Sequence, residues 1–266
     1  MIIGNTTFNL GKRTYLVGIL NITPDSFSDG GKYNSVQNAI KHAKQMTSDG
    51  ADIIDVGGES TRPGFTPVSE EEELARVIPV LNELKKNITI PISIDTQKPA
   101  VALKAAKIGV SMVNNCGALK DIKIAEICKE YNITYCITHN RTNTNYNNFL
   151  IDCCNNLEQE LENITKIGLS LQNIIIDPGI GFAKNYDQNL EILKNLHLFK
   201  KFGCAIMLGI SRKSFFGQML NLPLNKRDEA TAVATAIAAK DCDFVRVHNV
   251  KINKMAALFA DAIVRK

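Results

Sequence analysis

The chain has 266 residues, of which 45% are hydrophobic and 22% charged, with a formal net charge of +4. That supplies enough apolar residue for one large core, while the basic excess is mild and lacks the Lys/Arg blocks or interleaved aromatics that would point to a nucleic acid. No run of about 18 apolar residues could span a membrane, the N-terminus lacks a signal-peptide pattern, and the seven cysteines include no Cys-x-x-Cys pair, so the reading is a soluble cytoplasmic protein without a disulfide frame or a zinc site.

Met1 to Arg13 predicts a small β-hairpin, with Thr6-Thr7-Phe8 and a turn at Gly11. Tyr15 to Leu20 is an apolar strand that ends in the polar run Asn21-Ile22-Thr23-Pro24-Asp25-Ser26-Phe27-Ser28-Asp29-Gly30-Gly31. Helical spacing follows from Ser35 to about Ser48, through Val36, Ala39, Ile40, Ala43 and Met46. The strand near Ile53 to Val56 feeds Asp55-Val56-Gly57-Gly58-Glu59-Ser60-Thr61-Arg62-Pro63-Gly64, whose glycines free the backbone and whose hydroxyls and guanidinium suit an anion. Ser69 caps an acidic-fronted helix through Leu84, with Pro79 placed to kink it. Further strands are Pro91 to Ile94 ending in Asp95-Thr96, Val110 to Val113 ending in Asn114-Asn115, and Ile133 to Ile137 ending in Thr138-His139. Helices Pro99 to Ile108 and Asp121 to Tyr131 separate them.

Arg141 to Asn148 reads as an Asn/Thr-rich mobile loop before a helix over Asn155 to Ile167. The strand Ile174 to Ile176 ends in Asp177-Pro178-Gly179-Ile180-Gly181-Phe182, a helix covers Asp187 to Phe199, and Ala205 to Leu208 ends in Gly209-Ile210-Ser211-Arg212-Lys213-Ser214, the start of a helix. An alanine-rich helix runs from Arg227 to Lys240, and the last strand, Phe244 to Val247, ends in His248-Asn249 before a helix to Val264. About eight strands, each followed by a helix and with no linker between them, predict an α/β fold: a single (β/α)8 TIM-barrel domain over 1–266, its N-terminal hairpin capping the bottom. An open doubly wound sheet is the runner-up, weakened because no G-x-G-x-x-G follows the first strand.

In such a barrel every C-terminal strand end meets at one rim. There Asn21, Asp55, Asp95, Asn114, Thr138-His139, Asp177, Lys213, Arg246 and His248 would converge. Asp95 and Asp177 at the ends of apolar strands suit the N–H edge of a heterocycle, and Ser211-Arg212-Lys213-Ser214 suits an anion or polarised carbonyl. Arg246 and His248 share one face and fit a phosphate clamp. Asp55 reads equally as strand-end support or as a direct contact. His42 and His197 lie on helices away from the rim, and His139 adjoins it.

The two long runs from Asn21 and from Gly57, with Ser93-Ile94-Asp95-Thr96, Asp177 to Phe182, Ser211 to Ser214 and Arg246-Val247-His248, resemble the signatures of the dihydropteroate synthase family in order along nearly the whole chain. The resemblance implies a (β/α)8 homodimer that joins (7,8-dihydropterin-6-yl)methyl diphosphate to 4-aminobenzoate in folate synthesis, the step sulfonamides block. It assigns Asn21 to Mg²⁺, and Asp95, Asn114, Asp177 and Lys213 to the pterin pocket. Thr61, Arg246 and His248 would grip the diphosphate, with Asp95, Lys213 and Arg246 as the catalytic set. Phe27, Pro63, Phe182 and Ser211 would shape the aminobenzoate pocket, Arg62 leading into it. Three positions depart from the family pattern: Asn115 and Asn249 where Asp is usual, and Thr138 where a Met packs on the pterin. The alternatives are a weakened pterin-binding paralogue, or a barrel resembling the methyltetrahydrofolate methyltransferases.

Overall fold

The computed structural model describes residues 1–22, 31–59, 67–117 and 122–265. Eight parallel strands close into a barrel, β3 (Tyr15–Asn21), β4 (Ile53–Gly57), β5 (Ile92–Asp95), β6 (Met112–Asn115), β7 (Thr134–Thr138), β8 (Ile174–Asp177), β9 (Ala205–Gly209) and β10 (Phe244–Val247), with β10 pairing back onto β3. β1 (Ile2–Ile3) and β2 (Thr6–Thr7) form a separate antiparallel hairpin. Its turn is at Gly4-Asn5 and not at Gly11, which lies in the next bend. Ile3 and Phe8 reach from this hairpin into the lumen, where the Phe8 ring meets Tyr15 at 4.9 Å and Phe244 at 5.4 Å between centroids. The hairpin therefore plugs the N-terminal end, and the opposite end is left for the polar strand ends.

The helices are α1 (Gly31–Ser48), α2 (Glu70–Asn87), α3 (Pro99–Ile108), α4 (Lys123–Glu130), α5 (Phe149–Lys166), α6 (Tyr186–Lys194), α7 (Ser214–Leu220), α8 (Asp228–Ala238) and α9 (Val250–Val264). Among the described residues no helix is long and apolar enough to cross a membrane. Strand residues alternate between two clusters, as the two-residue pleat requires: Tyr15, Val17, Ile53 and Phe244 fill the lumen, while Leu16, Leu20, Ile54 and Val245 pack under the helices.

Four predicted elements shift. β6 starts two residues late, because Gly109 closes α3 at φ 94° and Val110 still donates to Ala105 O. That puts Asn114 inside the strand, in register with Asp95 and Cys136. α5 starts six residues early, because Asp152 Oδ2 accepts from the backbone of Asn147 and Asn148 and ties the Asn/Thr-rich loop to the helix front. α1 likewise begins before Ser35, and the helix read from Asp187 to Phe199 ends as α6 at Lys194 and continues as a 3-10 turn. α2 runs on through Pro79, and Ser69 caps it by accepting from Glu72 N at 3.1 Å.

Candidate active site

On β10, Phe244 belongs to the lumen cluster, so Arg246 two residues on points into the lumen one layer nearer the rim. Its Nε donates to Asp55 Oδ2 and its Nη2 to Asp95 Oδ2, each at 2.6 Å. Asn114 Nδ2 donates to the same Asp55 oxygen at 3.0 Å. Asp55 is 0% exposed, absent from the cavity lining and paired with Arg246, the geometry of a buried counter-ion. Burial opposes the Arg246 charge, but Asp55 and Asp95 together hold the guanidinium well above its ordinary value. Burial pushes Asp95 upward to about 7 against the pull of Arg246, with Asp55 adding to the rise. Asp95 Oδ1 is buried, faces no hydrogen-bond partner among the described residues, and belongs to a cavity-lining side chain.

The opposite wall is built by β8 and β9. Asp177 Oδ1 accepts from Gly179 N at 2.8 Å, and Oδ2 from Gly209 N at 3.1 Å. Burial raises this carboxyl, and these amides with Lys213 counteract it. Lys213 is lowered by its own burial, with Asp177 the largest opposing influence, and its Nζ lies 4.2 Å over the Phe182 ring. Gly181, at φ 80°, is required here, since a Cβ would stand 2.9 Å from Lys213 Cδ. Nearer the mouth, Ser211 Oγ accepts from His248 N at 3.1 Å and bonds His248 Nδ1 at 2.8 Å. The hydroxyl has one hydrogen and two lone pairs, so it can serve the amide and either tautomer of the ring at once.

These groups surround a cavity of about 320 Å³ that also takes in Asn21 and Cys116. Of the residues picked from sequence, Asn21, Asp95, Asp177, Phe182, Ser211, Lys213, Arg246 and His248 line it. Asn114 lies behind it, bonded to Asp55. Phe27, Thr61, Arg62 and Pro63 lie outside the described residues. His139 is 0% exposed and absent from the cavity lining, bonded instead to Lys184. His42 and His197 are exposed on helices.

The three departures have local explanations. Asn115 donates to Tyr135 OH at 2.8 Å and accepts from Gly117 N at 2.8 Å, so it closes the turn after β6. Asn249 caps α9 and donates to Asp228 Oδ2 at 3.1 Å, where an Asp would meet a like charge. Thr138 Oγ1 contacts Cys116 Sγ at 3.7 Å, a small polar pair where a Met would pack. Cys116, Glu59 and Arg227, to which the sequence assigns no role, also line the cavity. Cys116 could have been found from its place two residues past Asn114. Nothing in the local pattern marks the other two.

Residues 17–248 match the family model described as pterin binding enzyme. The dihydropteroate synthase of Clostridium beijerinckii is 51% identical over 269 residues, covering 100% of each chain. A Clostridium difficile dihydropteroate synthase, crystallised in the presence of pteroic acid, superposes with a TM-score of 0.94 at 48% identity, covering 98% of this chain and 100% of that one. The Xanthomonas albilineans dihydropteroate synthase with 4-aminobenzoic acid gives 0.90 at 33% identity, over 94% and 93%. The barrel is that of the pterin binding enzymes, and within them the chain belongs to the dihydropteroate synthase family. Its activity is that of a transferase in folate biosynthesis, acting on small molecules.

Proposed function

We propose that this site condenses (7,8-dihydropterin-6-yl)methyl diphosphate with 4-aminobenzoate by a loose, dissociative substitution. The observation that carries the reading is the pair of buried carboxylates, Asp95 and Asp177, on opposite walls of one cavity, each beside a partly buried cation. Asp95 Oδ1 and the second lone pairs of Asp177 await N–H donors, which the edge of a pterin supplies. Arg246 spends only Nε and Nη2 on its carboxylates, so its remaining donors and its planar face serve the diphosphate and the ring. His248 and Lys213 line the cavity on the leaving-group side and add basic groups there. As the methylene–oxygen bond breaks, its electron pair leaves with the diphosphate, and the cation left on the pterin is stabilised by Asp95 and Asp177. The neutral aryl amine then forms the new carbon–nitrogen bond, and the strongly acidic anilinium that results gives its proton to water or to the released diphosphate, so no strong base is called for.

The residues fit a Mg²⁺ that arrives with the diphosphate. Asn21 presents a hard oxygen, and the missing side chain of Gly57 keeps open a cradle in which a Cβ would lie 3.6 Å from Asn21 Oδ1 and 3.8 Å from Asp95 Oδ2. One or two protein oxygens with substrate phosphates and water is the usual Mg²⁺ set. Asn21 would hold the ion, and its charge would ease departure of the diphosphate. We also infer a homodimer through α8 and α9, whose Val233, Ile237, Met255, Phe259 and Ile263 are exposed by 59–71% on neighbouring helices. All seven cysteines are free and buried, which favours a reducing cytoplasm.

The test supplies both substrates with Mg²⁺ and looks for dihydropteroate and diphosphate. Asp177→Asn should weaken pterin affinity at least tenfold by calorimetry. Full affinity in that variant would remove the pterin assignment, and turnover unchanged by chelation would remove the metal.

A further inference from the structure

Behind Phe182, outside the cavity, lies a buried cation that the chemistry above does not use. Lys184 is 8% exposed, and its Nζ reaches three acceptors: His139 Nδ1 at 2.9 Å, His139 O at 3.1 Å and Phe182 O at 3.1 Å. An ammonium has three hydrogens, so all are spent. His139 must therefore present the Nδ1 lone pair and carry its hydrogen on Nε2, which meets Asn156 Oδ1 on α5 at 3.3 Å. The His139 backbone is itself fixed to the strand pair, its N donating to Asp177 O at 2.8 Å.

The same loop is gripped twice more. Tyr146 OH donates to Ala183 O at 3.0 Å, and Asn189 Oδ1 accepts from Gly181 N at 2.7 Å. It needs the help, because Gly179, Gly181 and Ala183 all have positive φ. At Gly179 a Cβ would stand 2.0 Å from His139 O, so the loop lies directly against the end of β7. The charged groups that act on Lys184 are Asp177, Arg141 and Lys213, with the Cys153 thiol on α5. Burial draws its ammonium down to about 8 and His139 to about 3, which agrees with a lone cation shared by neutral acceptors.

We propose that Lys184 is a positioning residue of the transferase: it clamps the loop carrying Phe182 onto the end of β7 and so sets the aminobenzoate subsite. The proposal rests on the reading of Phe182 given above. Phe182 O is pinned by Lys184 on one side while its ring lies under Lys213 on the other. The clamp holds no part of the Asp95–Arg246 wall, and Asp177 keeps its second anchor, Gly209 N on β9, outside the clamped loop, so the loss should fall mainly on one substrate.

Lys184→Met removes the three bonds, and Tyr146→Phe removes the support at Ala183 while leaving all three in place. In steady-state kinetics Lys184→Met should raise KM for 4-aminobenzoate about tenfold and Tyr146→Phe two- to threefold, with calorimetric affinity for the pterin diphosphate within twofold of wild type. Amide hydrogen exchange at Gly179–Ala183 should quicken in both. An equal loss of pterin affinity, or an unmoved aminobenzoate KM, overturns the clamp. If Lys184→Met does not fold, Tyr146→Phe decides alone. If the wild type makes no dihydropteroate, the proposed function has failed, and the exchange rates still decide the clamp.

Discussion

Two cations at the same end of the barrel, the partly buried Arg246 and the buried Lys184, are held in opposite ways. Arg246 is wedged between two carboxylates. Lys184 has a ring nitrogen and two carbonyls, with no carboxylate among its hydrogen-bond partners. Ion pairing fixes the first charge at any pH at which the protein is folded, whereas neutral acceptors leave the second able to lose its proton. Arg246 thus keeps its charge, whereas the charge on Lys184 is conditional.

Cutting the Arg246 network is the largest break. Arg246→Met strands Asp55 and Asp95 in a buried site, which should cost about 3–5 kcal/mol in denaturant unfolding and lower turnover by roughly 10²–10³-fold. The double variant with Asp55→Asn should be less destabilised than the sum of its singles, because one stranded charge is gone. Strict additivity would mean that the Asp55 contact does not hold Arg246.

The second test works on the Lys184 side through His139. Its folded pKa, about 3, lies below the ordinary 6.5 because burial, and then Lys184, disfavour the imidazolium. Between those values the unfolded chain binds the extra proton. The stability from keeping His139 neutral is therefore complete above pH 6.5 and lost as pH falls toward 3, a change of about 5 kcal/mol. His139→Gln keeps an acceptor for Lys184 and a donor for Asn156 but cannot titrate. Its unfolding free energy should fall less steeply over that window, and an identical slope would remove His139 from the acid response.

Lys184 itself should show a smaller change at the alkaline end. Its folded pKa is about 8 against an ordinary 10.5, through burial. Between these the unfolded chain again holds the extra proton, so this group makes stability rise with pH. The gap between wild type and Lys184→Met should widen by about 1–2 kcal/mol from pH 8 to 9.5. The difference is the quantity to read, since buried groups such as Tyr135 titrate in both proteins. A constant gap would mean that Lys184 keeps its charge as Arg246 does.

The two cations also differ in how far sequence reveals them. Arg246 was legible because alternation on β10 puts it on the lumen face, and the barrel was legible because apolar strands and helices alternate without a linker. Asp55 stayed ambiguous because one chain position does not say which distant strand supplies its partner, and that partner is 191 residues away. Lys184 was invisible: a lysine after a glycine-rich turn looks like a solvated residue, and only the positive-φ path from Gly179 to Ala183 turns it inward. The β6 offset and the early start of α5 were missed for a related reason, since a closing glycine and a capping carboxylate act over a few residues that periodicity averages out.

The smallest expected effect lies between these walls, at Asn249. The family pattern puts an Asp there, and the question is whether its charge belongs to the rim. Asn249 Oδ1 accepts from Ile252 N at 3.4 Å and Nδ2 donates to Asp228 Oδ2 at 3.1 Å, while Asp228 takes Arg212 Nε at 2.6 Å. Asn249→Asp keeps the cap and adds a favourable charge at a helix start, worth about 0.3–1 kcal/mol. It loses the donor to Asp228 and sets two carboxylates side by side, a penalty of about 1 kcal/mol that Arg212 shares out. The terms nearly cancel, so unfolding free energy should move by less than about 1 kcal/mol and KM for the pterin diphosphate by less than threefold. Neither Arg246 nor Lys184 hydrogen-bonds this group, which is why the charge should not reach them. A tenfold fall in that KM would show that the missing charge at 249 limits this enzyme, and that the rim extends one residue beyond His248.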